Sequence, residues 1–318
     1  MTIICSGSLA FDRLSQFPGF FQDHILADKL ASLNLCFLVD SVERVHGGTA
    51  GNIAYNLWLL GARPLVVGAV GADNDGRDYL ERLKSWDLDV SAVAISDQPT
   101  AGAYIATDRA TNQLSFFHPG AMGEASAFEP SQLPGPVDHH LAIVSPGGLA
   151  DMKRLCRLYR ELGLRFIFDP GQQVPAFTGP ELLDMLDGSI ILITNEYEIE
   201  LFLKKTGVEF EDLFQYTTAV ITTLGAEGSR LSTPRGSQHI LPGPVEIAVN
   251  PTGAGDAYRA GVLMALDHNE EMITAARLGS TVASFCVESP SPQSAHFSPG
   301  EVLARHFRTF RETINCLA

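Results

Sequence analysis

The stretch NPTGAGDAYRAGVLMAL, residues 250–266, decides the predicted fold and site. Ala257, Gly261 and Met264 recur at helical spacing, so a helix is expected to begin beside the glycines that precede them. The first N–H groups of a helix lack intrahelical partners and carry partial positive charge, and glycine lets an anion approach them closely. The stretch therefore suits a bound phosphate, although a glycine-rich turn before a helix has the same composition.

Asp256 is the residue of this stretch that a simple phosphate cradle does not explain. A carboxylate repels a phosphate, but it can take the proton from a hydroxyl that attacks that phosphate. An aspartate with an unperturbed pKa of about 3.9 is ionised at neutral pH and is ready to accept that proton. The stretch therefore predicts phosphoryl transfer with Asp256 as the general base.

Composition and charge narrow the classes of protein. The chain has 318 residues, 45% of them hydrophobic, and a formal net charge of −15. This charge disfavours nucleic acid and anionic membranes as partners, because both require clustered Lys and Arg, but it permits a small anionic ligand. Five scattered cysteines without a Cys-x-x-Cys pair, no signal-peptide pattern and no long apolar run predict a cytoplasmic protein without a membrane helix.

Short apolar runs alternate with helical patterns along the chain. The strand-like runs are residues 3–6, 65–70, 141–145, 166–169, 190–194 and 219–223. The helical patterns are residues 53–60, 76–85, 152–162, 196–206, 257–267 and 272–287. Gly61 and Gly163 lie where helix C-caps are expected. The alternation predicts an α/β fold with a doubly wound, mainly parallel sheet, in which ligands bind beyond the carboxyl ends of the strands.

Two segments interrupt this alternation. Residues 13–45 show no clear strand–helix pattern, and residues 100–118 have the turn and strand pattern of a β-hairpin. Both segments are expected to pair into a small sheet beside the main one. Because no clean linker separates any part of the chain, we expect one domain over residues 1–318.

Hydroxyl-binding chemistry is predicted near the N-terminal third of the chain. In GGTAGN, residues 47–52, Gly47 and Gly48 expose backbone N–H groups and Asn52 offers both a donor and an acceptor, which suits sugar hydroxyls. Asp12 follows the first strand, and a carboxylate can accept two hydroxyl protons from a ribose diol. Taken singly, a tight loop that enters a helix explains the glycine cluster about as well, and a solvated loop aspartate explains Asp12 better.

Two further motifs follow predicted strands. In TNEYE, residues 194–198, Asn195 and Glu198 can face a hydrated Mg²⁺ or a phosphate, although acidic residues also favour a helix start. TLGAEG, residues 223–228, has the pattern of a hairpin turn whose glycines can admit a nucleotide. Neither the GxGxxG fingerprint nor a P-loop is present in the sequence.

Together, GGTAGN, TNEYE, TLGAEG and NPTGAGDAYRAG resemble the ribokinase-like, or PfkB, family of carbohydrate and nucleoside kinases, in order and separation across nearly the whole chain. The resemblance implies a three-layer α/β/α domain with a small β lid, to which residues 13–45 and 100–118 correspond. It also implies transfer of the γ-phosphate of ATP to a hydroxymethyl group, with Mg²⁺ as cofactor.

The resemblance assigns roles to individual residues. Asp256 corresponds to the catalytic base, and its anion hole falls on Gly253, Ala254 and Gly255. The sugar-contacting positions are Asp12, Gly47, Gly48 and Asn52. The nucleotide-contacting positions are Asn195, Thr223, Gly225 and Gly228. Glu198 is the metal-associated residue and is expected to reach Mg²⁺ through water.

One departure from the family pattern concerns a cation site. Many members carry Asp-Thr before the Thr-Gly-Ala-Gly-Asp core, whereas this chain has Asn250-Pro251. The change removes a carboxylate near the phosphates and puts a monovalent-cation site in doubt, but it leaves the assignment of Asp256 unchanged.

The most specific prediction concerns the identity of the acceptor. Residues 113–122, together with SGSLAFD, LNLCFLVDS and DPGQQ, look more like the adenosine and nucleoside kinase branch than like ribokinase or fructokinase. Phe116 or Phe117 is expected to stack on a purine, although a hydrophobic hairpin packed on the body has the same pattern. Adenosine is the predicted acceptor; a ribose or fructose kinase and a non-catalytic nucleoside- or sugar-binding homologue are the alternatives. A lid edge also offers a surface for a homodimer.

Overall fold

The computed structural model describes residues 2–25 and 34–317, which form thirteen strands and eight α-helices. The strands β1 to β13 are Ile3–Ser6, Ala10–Gln16, Ser41–Gly47, Leu65–Gly71, Val93–Ser96, Ala101–Thr107, Gln113–His118, Leu141–Val144, Arg165–Phe168, Ser189–Asn195, Thr217–Thr223, Ser229–Thr233 and Gly236–Ile240. The helices α1 to α8 are Thr49–Leu59, Asn74–Ser85, Leu149–Leu162, Gly179–Leu186, Glu196–Thr206, Ala254–Asp267, Met272–Val287 and Pro299–Phe310.

The main sheet has nine strands in the order β13-β12-β11-β10-β9-β8-β1-β4-β5. Neighbouring strands from β11 to β5 in this order are parallel, whereas β12 and β13 are antiparallel additions at one edge. Parallel neighbours bring the carboxyl ends of their strands to one edge of the sheet, so the loops after β1, β8, β9, β10 and β11 converge there.

Helices cover both faces of the main sheet. Side chains alternate between faces along a strand, so in β1 Ile3 and Cys5 pack with α1, α6, α7 and α8, while Ile4 packs with α3, α4 and α5. Both clusters consist of buried apolar side chains, which explains why the central strands are apolar at nearly every position. The result is the predicted three-layer α/β/α arrangement.

A second sheet of four strands, in the order β3-β2-β6-β7, lies beside the main one. The strands β2 and β3 come from the predicted segment 13–45 and its flanks, and β6 and β7 form the predicted hairpin. Residues 26–33 of the first segment lie outside the described residues. In the strand register, Asp12, Ala103 and Phe117 are neighbours on one face of this sheet.

The predicted strands and helices are confirmed. Several helices begin a few residues before the apolar pattern that predicted them. Gly163 is the left-handed C-cap of α3, with φ 67°, and Gly61 follows α1 with φ 94°. The sequence analysis missed α4 and α8. Both begin with a capping box, Thr178 to Glu181 and Ser298 to Glu301, in which each side chain bonds the other residue's backbone N–H.

Candidate active site

A cavity of about 1380 Å³ lies between the small sheet and the carboxyl-end edge of the main sheet. Asp12 and Phe117 line it from the small sheet, and Asp169 and Asn195 line it from the loops after β9 and β10. A pocket for one drug-sized ligand typically encloses about 300–1,000 Å³. This cavity therefore has room for two substrates side by side.

Asp256 lies in the first turn of α6 and lines this cavity. Burial raises the pKa of its carboxyl to about 7, and the nearby Arg259 and a hydrogen bond from Asn52 act in the opposite direction. Asn52 Nδ2 donates to Asp256 Oδ2 over 2.8 Å. A carboxyl with a pKa near neutrality is suited to accept a proton from a substrate at physiological pH.

The start of α6 presents free N–H groups beside this carboxylate. Gly253 adopts a left-handed φ of 81°, and a Cβ there would lie 2.6 Å from the Pro292 side chain, so only glycine fits. Ala254 N–H donates to Pro251 O over 3.1 Å. Within residues 2–25 and 34–317, no hydrogen-bond acceptor satisfies the N–H groups of Gly255 and Asp256. These groups can receive an anion, whereas that of Ala254 is already engaged.

A buried ion pair, which the sequence analysis missed, lines the cavity beside the first turn of α6. Arg259 and Asp169 are 7% and 1% exposed, and the guanidinium contacts the carboxylate through Nε and through Nη2, the latter over 2.6 Å. Arg259 Nη1 also donates to Gly255 O over 2.9 Å. The pair therefore ties the loop after β9 to the first turn of α6. A charged residue inside the apolar pattern of α6 was the available sequence signal.

Asp12 faces the cavity from β2, and burial raises the pKa of its carboxyl. Gly47 makes room for it, because a Cβ at Gly47 would lie 2.8 Å from Asp12 Oδ2. Gly47 itself does not line the cavity, but Gly48 does, at the N-cap of α1 with φ 88°. Asn52 also lines the cavity, with one amide hydrogen on Asp256 and its oxygen bonded by Gln293. One Asn52 amide hydrogen remains for a substrate hydroxyl.

Of the two aromatics predicted to stack on the substrate, Phe116, the one assigned as a site residue, does not line the cavity and is 73% exposed. Its neighbour Phe117 lines the cavity instead. Successive side chains of a strand point to opposite faces, and β7 places Phe117 beside Ala103 on the inner face and Phe116 beside Tyr104 on the outer face. The assignment to Phe116 is therefore corrected to Phe117.

Asn195 and Glu198 form the capping box of α5 and also line the cavity. Asn195 Oδ1 accepts the N–H of Glu198, and Glu198 Oε2 accepts the N–H of Asn195, each over 2.8 Å. Burial raises the pKa of the Glu198 carboxyl. Within the described ranges, no group of three His, Cys, Asp or Glu could hold a metal ion. Any divalent ion here would therefore depend on water and ligand oxygens as well as on Glu198.

The turn between β11 and β12 forms the other end of the cavity. Thr223, Gly225 and Gly228 line it, and the two glycines have left-handed φ values of 58° and 92°. The predicted hairpin turn is thus present. The sequence analysis missed the apolar lining beside this turn, which consists of Pro242, Pro244, Val245, Val249, Ala283 and Val287.

Residues 23–298 match the family model described as pfkB family carbohydrate kinase. The chain belongs to the pfkB family of carbohydrate kinases. This pfkB-family chain is 33% identical over 310 residues to a nucleoside kinase of Methanothermobacter thermautotrophicus, covering 95% of this chain and 94% of that relative. Family membership confirms the predicted class of enzyme, a phosphotransferase with an alcohol group as acceptor.

Solved structures of the same family have the same fold. The structure of Burkholderia thailandensis nucleoside kinase in complex with inosine is 34% identical, with a TM-score of 0.83 over 99% of this chain and 100% of that one. The Methanocaldococcus jannaschii nucleoside kinase, a ribokinase-family member, is 26% identical with a TM-score of 0.84 over 96% and 98% of the two chains. The predicted ribokinase-like fold is confirmed. In the part of this kinase that the structure describes, no helix has the length and apolarity to cross a bilayer.

The Arg259–Asp169 pair gives a prediction on stability. Arg259→Met leaves the Asp169 carboxylate buried without its counter-charge, which is expected to cost about 3–5 kcal/mol of unfolding free energy at pH 8. Burial raises the pKa of the Asp169 carboxyl, so the folded variant binds a proton more readily than the unfolded chain, and the loss is smaller at pH 5. Urea unfolding of the variant and the parent chain at both pH values measures the loss of unfolding free energy.

The matched control is Arg157→Met, which removes the exposed Arg157–Asp184 pair, 3.8 Å apart. An exposed pair contributes at most about 1 kcal/mol, so this variant is expected to unfold like the parent chain at both pH values. Equal losses for the two variants would show that the buried pair has no special stabilising role.

Proposed function

We propose that the protein is an ATP-dependent nucleoside kinase that phosphorylates the 5′-hydroxyl of adenosine. The observation that carries the proposal is the position of Asp256, a desolvated carboxylate beside free helix N–H groups, in one cavity with Asp12 and Asn52. The similarity to nucleoside kinases, one of which was solved both with inosine and with ADP-inosine, supports a nucleoside acceptor and ATP as donor.

Asp256 is assigned the role of general base. The acceptor oxygen attacks the γ-phosphorus, the new O–P bond forms, and the bond from that phosphorus to the bridging oxygen of ADP breaks with its electron pair leaving on ADP. The acceptor proton passes to Asp256. General-base assistance of this kind is typically worth about 10²–10⁴-fold in rate.

The anion hole is assigned to the start of α6. The free N–H groups of Gly255 and Asp256 are assigned to the negative charge that collects on the transferring phosphoryl group, and Gly253 allows the close approach. Ala254 contributes to the shape of this turn rather than a free donor, because its N–H is bonded to Pro251. Fixed donors stabilise the transition state without having to reorganise during the reaction.

Asp12, Gly48 and Asn52 are assigned to the sugar. Asp12 can accept the two hydroxyl protons of a ribose diol, and Gly47 keeps the space that its carboxylate occupies. The remaining amide hydrogen of Asn52 can reach a hydroxyl next to Asp256. Phe117, on the same face of the small sheet as Asp12, offers a ring on which a purine can stack.

The nucleotide is assigned to the end of the cavity that Thr223, Gly225 and Gly228 line. Asn195 and Glu198 line the same cavity as this turn and Asp256, and their oxygens fit Mg²⁺, which usually keeps several waters and binds through one or two carboxylates and phosphates. When bound, Mg²⁺ neutralises charge on the phosphates.

We also propose that the chain is one kinase domain over residues 1–318, with the small sheet as its lid. The strands β3 and β7 are the edges of that sheet, where a homodimer through the lid would form. All five cysteines are free, which agrees with a reducing, cytoplasmic location.

The acceptor is tested by ADP release with adenosine, inosine, ribose and fructose as alternative substrates. Adenosine is expected to give the highest kcat/KM, because Phe117 stacks its base and Asp12 holds its ribose. A higher kcat/KM with inosine would show that the preferred acceptor is inosine, another purine nucleoside, and not adenosine. A preference for ribose or fructose would contradict the nucleoside kinase assignment.

The role of Asp256 gives a prediction on rate and pH. Asp256→Asn is expected to lower kcat by about 10²–10⁴-fold while the nucleoside still binds, because the base is lost and the shape is kept. In the unmodified enzyme the base is active when ionised, so kcat/KM rises with pH through a midpoint of about 7. Steady-state kinetics and calorimetric binding measure both effects. Near-normal turnover by Asp256→Asn would rule out this base.

A further inference from the structure

A chain of buried hydrogen bonds runs from the end of β3 to the carboxylate of Asp256. The Tyr79 hydroxyl donates to Gly47 O over 2.6 Å. Gln293 Nε2 donates to the Tyr79 oxygen and to Asn52 Oδ1, each over 3.0 Å. Asn52 Nδ2 then donates to Asp256 over 2.8 Å. Tyr79 is fully buried, and Asn52 and Gln293 are each 5% exposed, so water does not compete for these bonds.

Only one assignment of donors and acceptors satisfies all the bonds in this series of hydrogen bonds. A backbone carbonyl only accepts, so the single hydroxyl proton of Tyr79 is committed to Gly47. The Tyr79 oxygen must then accept, which requires the NH₂ side of the Gln293 amide to face it. The second hydrogen of that NH₂ group bonds the oxygen of Asn52, so the Asn52 nitrogen faces Asp256.

We propose that Gln293, oriented by Tyr79, is a positioning residue that keeps the N–H of Asn52 turned toward the carboxylate of Asp256. The proposal rests on the proposed role of Asp256 as the base. Without the bond from Gln293, the Asn52 amide is free to rotate by half a turn. Its oxygen then faces the carboxylate and favours the protonated form of Asp256, which is inactive as a base at neutral pH.

The packing around the chain fixes its members in place. A Cβ at Gly51 would lie 1.8 Å from the Tyr79 hydroxyl, so glycine in α1 is what lets Tyr79 reach Gly47. Arg82 donates to the backbone oxygen of Gln293 over 3.1 Å. The oxygen of the Gln293 side chain is buried and has no partner among the described residues. The orientation of this amide is therefore set at its nitrogen, by Tyr79 and Asn52.

The test compares Gln293→Met and Tyr79→Phe with the parent enzyme. Both variants are expected to move the acid limb of kcat/KM upward by about one pH unit. From a midpoint of about 7, this shift lowers the ionised fraction of Asp256 at pH 7 from about one half to about one tenth, so kcat at pH 7 is expected to fall by about fivefold. The KM for ATP is expected to stay within about twofold, because the nucleotide end of the cavity is untouched. Arg259, Asp169 and Asp12 are the charged groups that act on Asp256, and all three are unchanged in both variants.

The control is Gln238→Met, at an exposed position of β13 away from the cavity. It is expected to keep the parent pH profile and kcat. Tyr79→Phe keeps the ring that packs against Phe11, with centroids 5.5 Å apart, so it carries the test if Gln293→Met does not fold.

A double variant tests whether Gln293 acts through Asn52. Once Asn52→Ala has removed the amide, adding Gln293→Met is expected to cost no further activity, because residues in one network are not additive. Additive losses, or an unshifted acid limb in both Gln293→Met and Tyr79→Phe, would overturn the proposal. Near-normal turnover by Asp256→Asn would instead show that the proposed base itself is wrong, which separates the two failures.

Discussion

The site depends on a carboxylate held out of water at the start of a helix. Burial favours the neutral form of Asp256, whereas Asn52 and Arg259 favour the charged form. The balance leaves the pKa of Asp256 at about 7, far above the value of an exposed aspartate and still low enough for ionisation near neutral pH. A base of this kind holds a proton weakly enough to release it and strongly enough to take it from an alcohol.

The fold supplies that environment from separate parts of the chain. The parallel sheet brings Asp169 after β9 to the side of α6, where Arg259 neutralises it and bonds the first turn of the helix. The small sheet brings Asp12 to the same cavity. Three carboxylates thus lie near the first turn of α6, and the buried Arg259 offsets their mutual repulsion.

The sequence predicted the features that depend on residues close together in the chain. Apolar runs and helical spacing identified the layers, and glycine clusters identified the cavity wall; the capping boxes Thr178–Glu181 and Ser298–Glu301 would also have identified α4 and α8. The choice between Phe116 and Phe117 required the register of β7, which alternation alone does not give. Tyr79 and Gln293 are 214 residues apart and belong to no periodic pattern, so only the folded chain joins them.

The raised pKa of Asp256 is measured most directly by a carbon-13 NMR titration of the aspartate carboxyl groups. Subtracting the spectra of Asp256→Asn isolates the resonance of this residue. A midpoint of about 7 is expected in the enzyme without substrates. A midpoint near the unperturbed value of about 3.9 would show that the carboxylate is solvated and would contradict a desolvated base at the start of α6.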